Sequence, residues 1–120
     1  MLVKSTIDCM PYTAIDGCAI REVLHPHQDS VVLPYSLAVA EVTGGARTHR
    51  HRLQHAEVYY VLEGRGIMHI ECETREVCTG DAVFIPAGSI QWIENVATTN
   101  LRFVALVSPP WSAAMDARVE

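Results

Sequence analysis

The sequence predicts an all-β domain, a barrel or sandwich of short strands. Runs of Val, Ile, Leu, Tyr and Phe recur along the chain, and helical periodicity is almost absent. Turn-forming pairs such as Asp16-Gly17, Gly44-Gly45 and Thr99-Asn100 separate these runs. Many short strands with this spacing are typical of packed antiparallel sheets or a closed barrel.

Ten strands are predicted from the apolar runs, at residues 19–24, 31–33, 35–43, 47–51, 57–63, 66–71, 76–78, 82–85, 90–94 and 101–107. Residues 111–119, after Pro109-Pro110, form either a short C-terminal helix or a loose tail. In strand 57–63 both faces are apolar, although one face of a barrel strand normally meets water. Either the N-terminal segment or a second subunit should cover the outer face, so we expect a homodimer.

Length and composition favour one domain over residues 1–120, because a division would leave pieces too small to bury a core. Apolar residues make up 49% of the chain and charged residues 19%, and no apolar run is long enough to span a bilayer or serve as a signal peptide. We therefore expect a cytoplasmic protein without a membrane partner.

Charge and cysteine content argue against a nucleic-acid-binding protein and against a zinc-ribbon protein. A net charge of −5 argues against a nucleic-acid partner, because phosphate binding needs clustered Lys and Arg. The cysteines form no CxxC pair and match no zinc ribbon, and in a cytoplasmic protein they are expected to be reduced: Cys9, Cys18, Cys72 and Cys78.

The segment from Gly45 to Glu57 is the most informative for chemistry. In an extended strand His49 and His51 would share a face, and Glu57 begins the next apolar strand with the same odd parity. Two imidazoles at this spacing can bind one ion. A carboxylate in an apolar strand must be paired, hydrogen-bonded or metal-bound, because an isolated buried charge is too costly.

These residues resemble the two motifs of the cupin superfamily. The first motif covers about 45–64 and the second about 80–95, and they are carried by His49, His51, Glu57, Gly64, Gly80, Pro86, Gly88 and Asn95. The resemblance implies a cupin double-stranded β-helix, or jelly-roll barrel. Three stretches, among them the pair Gln91-Trp92, are similar to one uncharacterised branch of small prokaryotic single-domain cupins.

The resemblance implies a divalent transition metal (Zn, Ni, Fe, Mn or Cu) bound by His49, His51, Glu57 and Gln91. The chain departs from the pattern in two ways. Five residues separate His51 from Glu57, one more than usual, and Gln91 replaces the third histidine with a weaker amide oxygen. His55 is an alternative ligand if its turn brings it inward.

The remaining pocket is expected to be apolar and aromatic. Strand alternation places Tyr59 and Val61 on the Glu57 face and Ile93 on the Gln91 face, whereas Trp92 should lie outside the barrel. His69 is a further candidate for the pocket. Strand alternation alone does not decide whether its side chain points into the barrel.

These residues are compatible with two functions. The first is a cupin that binds a metal and acts as a dioxygenase- or isomerase-type enzyme on a small oxygenated molecule. The alternative is a non-catalytic barrel that binds or senses a small molecule with weak metal or none.

Overall fold

The computed structural model describes all 120 residues as eleven strands in two antiparallel sheets. The strands are β1 (Pro11–Thr13), β2 (Ala19–Leu24), β3 (Ser36–Val42), β4 (His51–Leu53), β5 (Ala56–Glu63), β6 (Arg65–Ile70), β7 (Glu73–Cys78), β8 (Ala82–Ile85), β9 (Ile90–Glu94), β10 (Leu101–Ser108) and β11 (Asp116–Arg118). The helices are short: α1 (Pro26–Asp29) and 3-10 turns at Thr6–Asp8 and Ala113–Met115. None of them has the length and apolar character needed to cross a membrane.

The two sheets pack as a jelly roll, as the sequence predicts. One sheet has the order β1-β2-β3-β10-β5-β8 and the other β11-β4-β9-β6-β7. Strand β10 lies inside the larger sheet, where Phe103 pairs with Ala40 of β3 and with Val61 of β5. Since strands distant in sequence are neighbours, the sheets bring residues from both ends of the chain to one region.

Strand alternation fills the space between the sheets. Odd-numbered residues of β5 and β10 point inward, and their even-numbered neighbours point outward. The core comprises Cys18, Ala40, Val42, Tyr59, Val61, Met68, Val77, Ile85, Ile93, Leu101, Phe103 and Ala105.

Three predicted elements differ from those observed. Residues 31–33 form no strand, and the strand predicted at 47–51 begins only at His51, apart from one isolated bridge at Arg47. The segment 111–119, expected to be a short helix or a loose tail, contains only one 3-10 turn at Ala113–Met115, because Asp116–Arg118 pairs with the free edge of β4. The short strand β1 was not predicted, because three residues carry too little pattern.

The outer face of the larger sheet is only partly covered. Beneath the N-terminal segment, Cys9 packs with Val23 and Val39 in a small separate cluster. Further along the same face, the side chains of Tyr60 and Phe84 remain exposed. The N-terminal segment therefore supplies only part of the second layer that the sequence requires.

Candidate functional site

A narrow cavity, open to solvent on one side, lies between the sheets. Most of its wall is apolar, as is typical of small-molecule sites. Its polar and ionisable lining side chains, apart from the Cys18 thiol, are Tyr12, Asp16, Glu22, Ser36, His51, Glu57, Tyr59, Trp111 and Asp116. They come from β1, β2, β3, β4, β5, β11 and the loops beside these strands, so only the folded chain assembles them.

His51 is the best-positioned group for chemistry. It opens β4, and it is only 4% exposed. Its Nδ1 lies 3.1 Å from Asp116 Oδ1, and Trp111 Nε1 donates to the other carboxylate oxygen at 3.0 Å. Because an ionised carboxylate only accepts hydrogen bonds, the proton of this contact resides on Nδ1. The chain Trp111–Asp116–His51 therefore fixes the orientation and tautomer of the imidazole.

The other imidazole nitrogen, His51 Nε2, has no hydrogen-bond partner although it is buried. Asp16 Oδ2 lies 3.4 Å away, and Asp16 Oδ1 accepts a hydrogen bond from the backbone of Cys18 at 2.9 Å. Burial lowers the pKa of His51, but the hydrogen bond with Asp116 and the charges of Asp16 and Asp116 outweigh this effect and raise the pKa. Burial also raises the pKa of Asp16. The pair can therefore hold or release a proton at Nε2.

Glu57 is a buried carboxyl group opposite His51. Burial raises its pKa to about 8, against the opposing effects of His51 and Gln91, so at pH 7 Glu57 is mostly protonated. Gln91 Nε2 donates to Glu57 Oε1 at 3.1 Å, while Gln91 Oε1 is buried without a partner. A carboxyl group at this apolar strand position needs a partner, and the side-chain amide of Gln91 provides the hydrogen bond.

Two tyrosines complete the polar wall. Burial raises the pKa of Tyr59 well above 10 and that of Tyr12 to about 12, so both hydroxyl groups stay protonated at neutral pH. The ring of Tyr59 packs against Phe103 with centroids 4.2 Å apart. These groups can donate hydrogen bonds to a ligand, and neither is suited to act as a base.

The structure does not bring His49 and His55 into the cavity. Because the chain is not a regular strand before His51, His49 and His51 do not share a face; the backbone N–H of His49 instead donates to Asp16 O. The side chain of His49 is 37% exposed and faces Glu120. His55 lies in the turn between β4 and β5, where its Nδ1 contacts Pro109 O at 2.9 Å. The longer turn therefore directs His55 away from the pocket.

His69 lies outside the barrel, because Met68 occupies the inward position of β6. The ring of His69 stacks on Trp92 at 4.3 Å, Arg50 lies over the same indole at 4.4 Å, and His69 Nε2 contacts Glu94 at 2.7 Å. Among the other predicted pocket residues, Tyr59 lines the cavity, whereas Val61 and Ile93 belong to the core.

The structure brings together only part of the metal set that the resemblance implies. Of the four predicted ligands, only His51 and Glu57 line the cavity, and Gln91 contacts Glu57 from outside the lining. No three His, Cys, Asp or Glu side chains are grouped so that they could hold a metal ion. Metal binding by these residues stays a prediction.

Asp16 and Asp116 are the functional candidates that the sequence did not reveal. Asp16 precedes the turn glycine Gly17, and Asp116 lies in the segment predicted to be a helix or tail. Both are brought to His51 by contacts between residues far apart in the chain. The one available signal was Asp16-Gly17, which indicates a turn and carries no information about chemistry.

Comparison with known proteins agrees with the fold. The family model of the cupin domain matches residues 37–107. An uncharacterized protein of Methanocaldococcus jannaschii is 40% identical over 114 residues, which cover 92% of this chain and 90% of the relative. The oxalate-binding protein of Thermotoga maritima is 34% identical over 59 residues, about half of each chain (49% and 48%).

Among solved structures, the polyketide cyclase RemF from Streptomyces resistomycificus has a TM-score of 0.82 at 21% identity, covering 100% of this chain and 86% of the cyclase. A predicted oxalate decarboxylase from Thermotoga maritima has a TM-score of 0.79 at 22% identity, covering 90% and 99%. Identities this low show the shared fold alone. The domain match and the 40% identical relative show that the chain belongs to the cupin family.

Proposed function

We propose that the chain binds a small polar molecule in this cavity and that His51 exchanges a proton with it, in a reaction of the isomerase type. The observation that carries the proposal is the buried, unpartnered Nε2 of His51, with Nδ1 held by Asp116. A nitrogen left unpaired in a buried site costs free energy, which a hydrogen bond from a ligand would recover. The relative named for binding oxalate supports a small-molecule site of this kind.

The proton balance of such a reaction is simple. Neutral His51 takes a proton from one ligand atom at Nε2, and the imidazolium returns it to another atom of the same ligand. Asp116 at Nδ1–H and Asp16 near Nε2–H stabilise the intermediate positive charge. Glu57, protonated at pH 7, can donate a hydrogen bond to a ligand oxygen that gains negative charge during the transfer.

Solvent-exchange measurements test this proposal without a known substrate. A panel of small carbonyl compounds is incubated with the protein in D2O, and deuterium incorporation is followed by mass spectrometry. Wild-type protein should accelerate exchange into at least one compound. His51→Asn should reduce this rate by about 10²- to 10⁴-fold, the usual contribution of a general acid or base. Asp116→Asn should reduce it less, because the imidazole itself remains.

His55→Asn is the matched control, because His55 contacts Pro109 O outside the cavity. It should leave the exchange rate unchanged. If no compound exchanges above the protein-free rate, or if His51→Asn exchanges as fast as wild type, the catalytic proposal is wrong. Binding of a panel compound without exchange would instead favour the non-catalytic binding function.

Metal binding is a second candidate function. It is favoured by two buried atoms without partners, His51 Nε2 and Gln91 Oε1, near the carboxyl group of Glu57. These three residues would supply one nitrogen and two kinds of oxygen, a mixed set that suits Zn, Ni, Fe, Mn or Cu. A bound ion would provide Lewis-acid chemistry in the cavity.

Elemental analysis of protein purified without a histidine tag or chelator tests this candidate. Metal binding predicts close to one ion per chain, lost in His51→Ala and reduced in Gln91→Ala, with His55→Ala unchanged. A metal-free wild type that remains folded would contradict it.

A further inference from the structure

The charges around the cavity are strongly one-sided. Four carboxyl groups line it, those of Asp16, Glu22, Glu57 and Asp116, and no Lys or Arg side chain does. His51 is the only lining side chain that can carry a positive charge. Although Glu57 is mostly protonated at pH 7, the carboxylates of Asp16, Glu22 and Asp116 give the cavity a negative potential, which the surrounding low-dielectric protein strengthens.

Three basic side chains, those of Lys4, Arg21 and Arg47, are bound to groups outside the cavity lining. Lys4 pairs with Asp29 at 2.8 Å, and Arg21 donates to the backbone carbonyl groups of Thr6, Ile7 and Cys9. Arg47 forms two hydrogen bonds with the Glu120 carboxylate. Burial raises the pKa of Glu22, and the charges of His25 and Lys4 oppose this effect only in part. None of the three basic side chains donates a hydrogen bond to a lining carboxyl group.

Two polar atoms in the lining lack a partner. Glu22 Oε1 is buried without a hydrogen bond, and so is Nε2 of His51, a side chain more than nine-tenths buried. A buried carboxylate oxygen without a donor is costly, and a donor that carries a positive charge would compensate best. The protein itself supplies no such donor to Glu22.

The rest of the wall suits a cation with an apolar body. Aromatic rings of Tyr12, Tyr59, Phe103 and Trp111 line the same cavity. The faces of such rings attract ammonium and guanidinium groups, and their area also packs against apolar atoms.

We infer that the cavity selects a small organic cation, a protonated amine on a compact apolar body, and rejects carboxylates. The inference rests on the proposed function in that it takes the same cavity as the binding site and names the class of ligand. It separates this chain from the relative named for binding oxalate, because a dicarboxylate would meet the like charges of Asp16, Glu22 and Asp116.

Three probes of nearly equal shape test the selectivity: benzylamine as cation, benzyl alcohol as neutral analogue and benzoate as anion. Binding to chelator-treated protein is measured by NMR titration and calorimetry at pH 7. Benzylamine should bind at least about tenfold more tightly than benzyl alcohol, and benzoate should bind weakest. Glu22→Gln should weaken benzylamine binding by about 10- to 100-fold, since it replaces a charge-assisted hydrogen bond with a neutral one.

Glu76→Gln, an exposed carboxylate on β7 away from the cavity, is the matched control and should leave binding unchanged. Asp16→Asn provides a second variant if Glu22→Gln does not fold. The inference is overturned if benzoate binds as tightly as benzylamine, if benzylamine fails to bind at millimolar concentration, or if neither variant weakens it. These are equilibrium binding measurements that need no turnover. Selective binding of benzylamine without deuterium exchange would therefore support the ligand class and contradict the catalytic proposal, and exchange without such selectivity would do the opposite.

Discussion

At the scale of single residues, the alternation of side chains along a strand correctly predicted which residues are buried, wherever the chain forms a regular strand. Tyr59, Gln91 and Ile93 are buried as their parity requires, and Trp92 lies outside. The same rule failed for His49, because the segment before His51 is irregular and side chains two residues apart do not share a face there. The sequence therefore identified His51, Glu57 and Gln91, the partner of Glu57, but not Asp16 and Asp116, the partners of His51.

Asp16 and Asp116 could not be predicted because nothing in their local sequence distinguishes them from surface carboxylates. Their burial beside His51 depends on contacts across 35 and 65 residues of chain. Such contacts follow from the packing of the whole fold, which no local pattern encodes. The grouping of carboxyl groups around the pocket, from which the ligand class is inferred, likewise depends on the packing of the whole fold.

Glu57 gives a prediction for the pH dependence of stability. Its pKa rises from the ordinary value of 4.5 to about 8 on folding, so the native state retains a proton that the unfolded chain releases over this range. The free energy of unfolding should therefore fall as the pH rises from about 4.5 to about 8, by a few kcal/mol at about 1.4 kcal/mol per pKa unit. Urea unfolding of wild type and Glu57→Gln at pH 5 and pH 8.5 measures this difference.

Glu57→Gln should lose much of this slope, because glutamine does not ionise. A residual slope of the same sign is expected from Asp16 and His51, whose pKa values are also raised in the folded state. Glu76→Gln, exposed on β7, is the control and should keep the full wild-type slope. Equal slopes in wild type and Glu57→Gln would contradict a protonated buried Glu57.

At the scale of elements, the longer strands were predicted, and the strand at the C-terminus was not. Strands β5, β8, β9 and β10 fall close to their expected positions, because long apolar runs bounded by turns carry a strong signal. Strand β11 has three residues and no apolar alternation, and it forms only because the edge of β4 is available. This short strand nevertheless places Asp116 against His51.

The turn glycines of the motifs offer a matched pair of substitutions. Gly64 and Gly80 have φ of +87° and +92°, as the motif pattern predicts for tight turns. A Cβ on Gly64 would lie 2.6 Å from Asn100 O, a backbone atom, whereas a Cβ on Gly80 would meet nothing within 4 Å. Alanine would therefore strain the backbone at both positions, but only at Gly64 would its Cβ also clash with a neighbouring atom.

Gly80→Ala should lower the free energy of unfolding by about 1 kcal/mol, the usual cost of a left-handed backbone for a residue with a Cβ. Gly64→Ala should cost at least about 2 kcal/mol more, because the connection before β10 must shift. Chemical unfolding of the two variants beside wild type measures both values. Equal losses would show that the turn relaxes to remove the clash.

At the scale of the whole molecule, the larger sheet retains an apolar outer surface. Tyr60, Leu62 and Phe84 are 46%, 39% and 64% exposed, and Tyr60 and Phe84 adjoin Val58 and Val104 on the same face through strand pairing. The N-terminal segment covers the other end of this face, at Cys9 and Val23. Contiguous exposed apolar surface of this kind is typical of an association site.

We propose that a second copy of the chain covers this surface. The apolar strand faces of the sequence indicate that a second layer covers the outside of this sheet. The N-terminal segment cannot supply the whole layer, because it is already packed over β2 and β3. A two-fold axis would bring the patch against itself, which suits a face that is apolar and carries little charge. Wild type should therefore elute with twice the monomer mass of 13.3 kDa in size-exclusion chromatography with light scattering.

Phe84→Glu should raise the dissociation constant of the dimer by about 100-fold or more, because it places two charges in a desolvated interface centre. The fold should persist, since Phe84 is exposed and contributes little to the core. Glu76→Lys, an exposed change on the other sheet, is the control and should remain dimeric. A wild type that is monomeric at high micromolar concentration, or a Phe84→Glu variant as dimeric as the control, would contradict this interface. In the first case the apolar face would be left to a partner other than a second copy.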